Sequence, residues 1–332
     1  MLINCKIFLL VILFKVLIAI NSYSIASEEN FESWLISYKE FALKEGISQS
    51  TLDKTFKKTK FLSQVIKYDR KQPEFYEDTI TYVSKRANTL RANKAKKLFI
   101  KNSKLFNKVE KEFFVEKEIL LALWGIETNF GKHIGKMDII SSLATLSYDK
   151  RRRDFFSSQL FNLLELIDAK LIDPELLYGS WAGAYGNFQF MPSTIKNYAI
   201  DYDSNNRIEL TSLNDSLASA ANYINRIGWK YGEPCFYKVE LSEKIKKKYI
   251  NSSARKINYR FKISKWKKMG VKIIDDQYNN SNIKAALILP DNKVNTPAFL
   301  VFRNYEKILK WNRSLRFGIS VCTLANKIKI LN

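Results

Sequence analysis

Histidine is almost absent from this chain: His133 is the only one in 332 residues. A Ser-His-Asp or Cys-His relay would have to run through that one imidazole. Zinc sites built on two or three histidines are excluded, and the three scattered cysteines form no cluster that could replace them. Proline and glycine are scarce too, at 6 and 11 residues, which argues against a collagen-like or linker-rich chain. There is no internal repeat. Hydrophobic residues at 46% and aromatics at 14% exclude a disordered polypeptide. Chemistry in such a chain has to come mostly from carboxylates, hydroxyls and amides.

Positive charge is abundant: 55 Lys and Arg against 33 Asp and Glu give a formal +22. This either steers the protein toward a polyanion such as nucleic acid, an anionic membrane or the cell wall, or marks a lysine-rich solvated surface. No RNP-like or helix-turn-helix signature is present, so nucleic acid is not an expected partner.

The first residues combine a short basic start, an apolar run from Ile7 to Ile20 and a small-residue end at Ser24-Ile25-Ala26. That order describes a secretory signal peptide over residues 1–26, and hence export to the periplasm. Lys15 interrupts the apolar run and argues against a membrane span; an uncleaved amino terminus is the alternative, which would hold the protein at a membrane. Cys5 precedes the apolar run, so a lipoprotein anchor is not expected. Export leaves Cys235 and Cys322, either paired or as two buried thiols. Both readings stand.

The expected fold class is α+β, mainly α. Residues 27–111 form a helical part, with apolar positions Phe31, Trp34, Leu35, Tyr38, Phe41 and Ala42 at helical spacing. Pro73 predicts a break, and a further helical region runs from Lys85 to Asn107. Residues 112–231 are the densest part and 232–304 a small β element, with strands expected at Phe236–Leu241, Tyr259–Ile263, Ala285–Leu289 and Ala298–Phe302. Residues 305–332 close the chain as helix.

Two stretches carry candidate chemistry. In the first, Glu116 to Gly131, strong helix formers lead to Glu127, and Gly131 is placed to stop the helix. A carboxyl there, among Trp124, Ile126 and Phe130, loses hydration and faces the negative end of the helix dipole. Both effects raise its pKa and suit it to general-acid work, or else Glu127 is an ordinary exposed or capping residue. The second stretch, Gly179 to Thr194, sets glycines among aromatics around Gln189. Glycine lets backbone approach a ligand closely, aromatic faces stack on sugars, and an amide both donates and accepts; a tight structural turn is the bland alternative.

Together, Glu127-Thr-Asn-Phe-Gly131 and Gly179-Ser-Trp-Ala-Gly-Ala-Tyr-Gly-Asn-Phe-Gln-Phe-Met-Pro-Ser193 resemble signatures of the lytic murein transglycosylase B family, glycoside hydrolase family 103. Gly46-Ile-Ser, Asp69–Phe75, Ser141–Asp149, Ala221-Asn222-Tyr223, Gly228-Trp229 and Trp311-Asn312-Arg313-Ser314 extend the likeness from about Phe31 to the end. The resemblance implies a lysozyme-like catalytic core and cleavage of peptidoglycan between N-acetylmuramic acid and N-acetylglucosamine without water. It implies Glu127 as the single acid/base, with Ser180, Gln189, Tyr82, Tyr223 and Asn312 lining the sugar site. Phe317 and Trp311 stand where tyrosines would be expected, which puts one hydroxyl-mediated contact in question.

Peptidoglycan glycan strands are then the expected substrate, cell-wall synthesis or remodelling proteins are possible partners, and the chain is expected to act as a monomer. The alternatives are a muramidase or a silent wall-binding scaffold. The chemistry requires no cofactor. Asp201, Asp203, Asn205 and the Arg207 carbonyl approximate positions 1, 3, 5 and 7 of a calcium loop, with Asn206 in place of the usual glycine. Position 12 is Ser212, and Asp215 would supply the closing carboxylate of a structural Ca2+ site. A polar turn ahead of a helix starting near Asn214 is the other reading.

Overall fold

A computed structural model of the protein describes residues 28–71, 77–274, 282–293 and 295–331. The expected signal peptide and the break at Pro73 lie outside them. The described chain begins with seven helices: α1 Glu28–Lys44, α2 Gln49–Phe56, α3 Ser63–Arg70, α4 Thr79–Arg86, α5 Thr89–Lys101, α6 Ser103–Phe113 and α7 Lys117–Thr128. The helix expected from Lys85 to Asn107 is divided among three of these. Asn88 caps α5 by accepting from the Arg91 amide, and the chain breaks again at Asn102. Asparagine competes with helical hydrogen bonds through its own side chain, which the apolar spacing alone does not register.

α7 is apolar nearly all round. Every residue from Ile119 to Gly125 is buried, so it is a core helix with neighbours on all sides. It packs against α5, α6, α11 (Leu213–Arg226) and the closing helix α14 (Leu315–Leu331). It ends at Thr128, three residues before the expected stop. Asn129, Phe130 and Gly131 follow with φ of 52°, 62° and 77°. Left-handed backbone is costly for a residue with Cβ, least so for asparagine. Here the Phe130 ring folds back over Gly125, where a Cβ would stand 2.7 Å from it.

A two-residue antiparallel pair, β1 (Met137–Asp138) with β2 (Tyr178–Gly179), brackets α8 (Ile139–Tyr148) and α9 (Arg153–Asp168). After the glycine-rich turn come α10 (Pro192–Tyr198) and α11. The late β element has strands β3 Phe236–Leu241, β4 Ile250–Asn251, β5 Phe261–Lys262, β6 Val271–Ile273, β7 Lys284–Ile288 and β8 Ala298–Val301, in the order β4-β7-β8-β3-β6, with β5 paired to β7. All pairings are antiparallel except β4 with β7. Helix α12 (Ile263–Lys268) begins at Ile263, which cuts the strand expected at Tyr259–Ile263 down to β5.

The central strands are buried on both faces, which explains why they read as apolar runs. Ala286, Ile288, Phe299 and Val301 face the main helical core. Ala285, Leu287, Leu300 and Phe302 face a second core built around Trp266, whose indole donates to the Ala285 carbonyl. Cys235 and Cys322 are bonded, and join the residue before β3 to α14. Helix α13 (Arg303–Trp311) leads from β8 back toward the end of α7. Among the described residues no helix is long and apolar enough to cross a membrane.

Candidate active site

Glu127 lies in the last turn of α7 and is half-buried. A hydrogen bond reaches it from a distant part of the chain: the Trp311 indole Nε1–H donates to Glu127 Oε1 at 2.9 Å. Trp311 is the final residue of α13 and belongs to a continuous aromatic wall. Its ring centroid lies 5.2 Å from both Phe190 and Tyr223, and Tyr198 stands 4.5 Å beyond Tyr223. The Tyr223 hydroxyl donates to the Lys310 carbonyl, and its pKa is pushed up to about 12 by burial and by Tyr198.

The glycine-rich turn is held from within. Tyr185 and Phe190 exchange backbone hydrogen bonds of 2.9 and 3.0 Å, and Ser180 N donates to the Ala184 carbonyl. The Ser180 hydroxyl oxygen accepts from the amides of Ala182 and Ala184, so it shapes the turn. Gly186 has φ 77°, and a Cβ there would stand 2.4 Å from the Leu210 carbonyl oxygen. Only glycine fits that approach.

Gln189 adopts φ 51° and spends its amide nitrogen on the carbonyls of Ile134 and Gly186. Its two-way hydrogen bonding therefore reduces to one way: the side-chain oxygen has no partner among the described residues and can accept from a ligand. Tyr82 differs from the other expected cleft residues. It is 2% exposed, with the Arg86 guanidinium 3.5 Å over its ring, so in this arrangement it is covered. Asn312 caps the end of α13 in extended backbone. Phe317 is buried in the core, and the indole at position 311 supplies the contact to Glu127.

Two residues outside the expected set join α7 to the turn. Asn187 accepts from the Trp124 indole at 3.0 Å and donates to the Thr211 carbonyl and the Ser216 hydroxyl. Thr128 donates to the Asn187 carbonyl and accepts from the Gly131 amide. Asn187 lies within the quoted motif, yet nothing local distinguishes it from a loop asparagine. At the same helix end, Lys94 donates to the Asn129 carbonyl, which satisfies a C-terminal carbonyl with a cation. Burial, then Lys132 and Arg91, hold the Lys94 pKa below its ordinary value.

The loop after α10 gathers a second acidic group. The carboxylates of Asp201, Asp203 and Asp215 converge within 4.8 Å. Asp201 accepts from the amides of Asn205 and Asn206, Asn205 Oδ1 accepts from Arg207 N, and Asn206 takes φ 65°, the left-handed turn that glycine would otherwise make. Asp215 sits in the first turn of α11, fully buried, and accepts from Tyr202 N and Glu209 N. Burial raises its pKa; Asp203 and Asp201 add to the rise while those two amides oppose it. Three converging carboxylates, one of them buried, fit an oxygen-liganded divalent cation. Ser212 is the N-cap residue of α11.

Residues 30–326 match the transglycosylase SLT domain. The chain belongs to that family, the one that includes lytic murein transglycosylase B. Membrane-bound lytic murein transglycosylase B of Escherichia coli K12 is 39% identical over 128 residues, which is 38% of this chain and 36% of that protein. The match thus spans little more than a third of that relative's length. SltB3 from Pseudomonas aeruginosa, solved in complex with NAG-NAM-pentapeptide, superposes with TM-score 0.82 at 32% identity, covering 90% of this chain and 79% of that one. Escherichia coli Slt35, solved in complex with calcium, superposes with TM-score 0.75 at 24% identity over 93% and 95% of the two chains. The fold of this chain is therefore the lysozyme-like one, mainly α with a small sheet.

Proposed function

We propose that this protein is an exported peptidoglycan lytic transglycosylase and that Glu127 is its acid/base. The observation that carries this reading is a half-buried carboxyl at a helix end, held by an indole and flanked by an aromatic wall and the Gln189 turn. Protonated Glu127 donates to the glycosidic oxygen between N-acetylmuramic acid and N-acetylglucosamine. The resulting carboxylate takes the proton of the muramoyl C6 hydroxyl as that oxygen closes on C1. The product is a 1,6-anhydromuramoyl end, and no water is consumed. One carboxylate acting twice replaces the pair that ordinary glycosidases use.

The side-chain oxygen of Gln189 suits a sugar N–H or hydroxyl, Tyr223 and Trp311 offer faces for a sugar ring, and Ser180 and Asn312 border the same region. The catalytic part is assigned to residues 112–231, with 27–111, 232–304 and 305–332 built around it. Asp201, Asp203, Asn205, the Arg207 carbonyl and Asp215 hold a Ca2+ ion that closes the loop; it offsets their mutual repulsion and takes no part in bond breaking. Export by a signal peptide over residues 1–26 would bring the enzyme to its polymer in the periplasm.

Mass spectrometry of digested peptidoglycan tests the reaction. Anhydro ends support it. Reducing muramic ends, heavier by one water, would make the protein a hydrolase, and an unaltered polymer would make it a wall-binding scaffold.

A further inference from the structure

The contact between Trp311 and Glu127 joins residues 184 positions apart, and the indole has little freedom to move. Phe188, Phe190 and Tyr223 surround its ring with centroids at 6.2, 5.2 and 5.2 Å. The helix that carries it is pinned at its start, where Asn304 donates to the carbonyls of Lys230 and Glu233, and beyond its end, where the buried Tyr305 donates to the Leu315 carbonyl. The donor is therefore delivered to Glu127 by a fixed element.

An indole nitrogen only donates. A protonated carboxyl has one accepting oxygen and one hydroxyl, and an oxygen that already accepts along the line to Trp311 cannot carry the proton along that same line. We propose that Trp311 is a positioning residue that commits Glu127 Oε1 as the acceptor and so makes Oε2 the oxygen that moves protons. Oε2 delivers the acid proton to the glycosidic oxygen and later receives the proton of the C6 hydroxyl, while Oε1 stays on the indole throughout. This inference rests on the reading of Glu127 as acid/base.

The same bond strengthens when the carboxylate forms, because a charged acceptor binds a donor about twice as strongly as a neutral one. Trp311 thus also stabilises the anion between the two proton transfers. A phenol or an imidazole would be a poorer selector, since each can accept as well as donate. Among the described residues, Lys94, Arg91 and Lys132 carry charge at this end of α7, and they remain in place when Trp311 is changed.

The test uses the full chain labelled with 15N, whose indole N–H resonance for Trp311 is assigned by its loss in Trp311→Phe. The Trp311 proton shift should follow one titration in the wild type and become flat in Glu127→Gln, where the amide oxygen still accepts. A flat wild-type shift, or a titration that survives in Glu127→Gln, overturns the proposal. In kinetics, Trp311→Phe should lower kcat roughly 10- to 100-fold. It should also move the alkaline limb of kcat/KM upward by roughly half to one pH unit, because the acid loses the donor that favoured its anion. Trp311→His, which returns a ring N–H at similar reach, should recover part of kcat above neutral pH. A Trp311→Phe enzyme with an unmoved profile, beside an inactive Glu127→Gln enzyme, overturns this inference alone. An active Glu127→Gln enzyme overturns the catalytic reading and this inference with it.

Discussion

Glu127 and Asp215 are both carboxylates near a helix terminus, and their surroundings are opposite. Glu127 accepts from a side-chain donor that comes from the far end of the chain, and it sits among aromatic rings. Asp215 is held by two backbone amides from its own neighbourhood and sits beside two further carboxylates. On the proposed reading, the first arrangement leaves an acid able to give up and recover a proton beside an aromatic wall. The second gathers negative charge that only a cation can offset. Helix polarity separates them too: the end of α7 presents carbonyls, and the start of α11 presents amides that favour an anion.

The largest expected effect comes from removing the first carboxyl. Glu127→Gln should lower kcat by about a thousandfold or more, since general acid and base roles are each worth roughly 10²–10⁴, with the unfolding temperature unchanged. Activity within tenfold of wild type would mean that Glu127 is not the acid.

Next is the covalent link behind Trp311. The Cys235–Cys322 bond closes a loop across a sequence separation of 87, for which the chain-entropy relation gives about 4–5 kcal/mol. Cys322→Ala should lower the unfolding temperature and reduce kcat with it, because α13 lies inside that loop. The calcium response of the Asp201–Asp215 loop should persist. Equal loss of both would mean that the two regions are not independent.

A smaller effect concerns the cation. Calcium at a hundredfold over its dissociation constant should stabilise the protein by about 2.7 kcal/mol, and Asp215→Asn should abolish that gain. The pH dependence has a definite sign. The folded pKa of Asp215 is raised, so without calcium the stability from its protonated form is fully present below the unfolded value near 3.8 and is lost as pH rises through the folded value. Thermal unfolding with chelator should therefore show this group favouring the folded state on the acid side, and calcium, which binds the ionised carboxylate, should oppose that trend. An Asp215→Asn variant with an unaltered pH dependence would refute the assignment.

The smallest is Tyr223→Phe. It removes a hydroxyl that bonds the Lys310 carbonyl and keeps the ring face. The expected cost is about 0.5–1.5 kcal/mol in stability, with KM for glycan nearly unchanged. A large rise in KM would mean that the hydroxyl, rather than the ring, meets the sugar.

Local patterns made much of this legible in the sequence. Helical spacing located α1 and α7, a run of alternating and apolar residues located β3, β7 and β8, and the Asp201–Asp215 spacing located an acidic loop whose members lie within fifteen residues. Less local features were missed or blurred. The double-sided burial of β7 and β8, the early end of α7 at Thr128 and the role of Asn187 depend on partners distant in sequence. The same holds for Gln189, whose donors are taken by Ile134 and Gly186.

The sequence by itself determined which carboxyl stands at the end of an apolar helix and which glycines could form the turn beside it, because propensity, spacing and turn chemistry act over a few residues. Only the tertiary structure decided what touches that carboxyl. The return of α13 brings Trp311 from 184 positions away to donate to Glu127, and a contact made by packing two helix ends has no periodicity through which the chain could announce it.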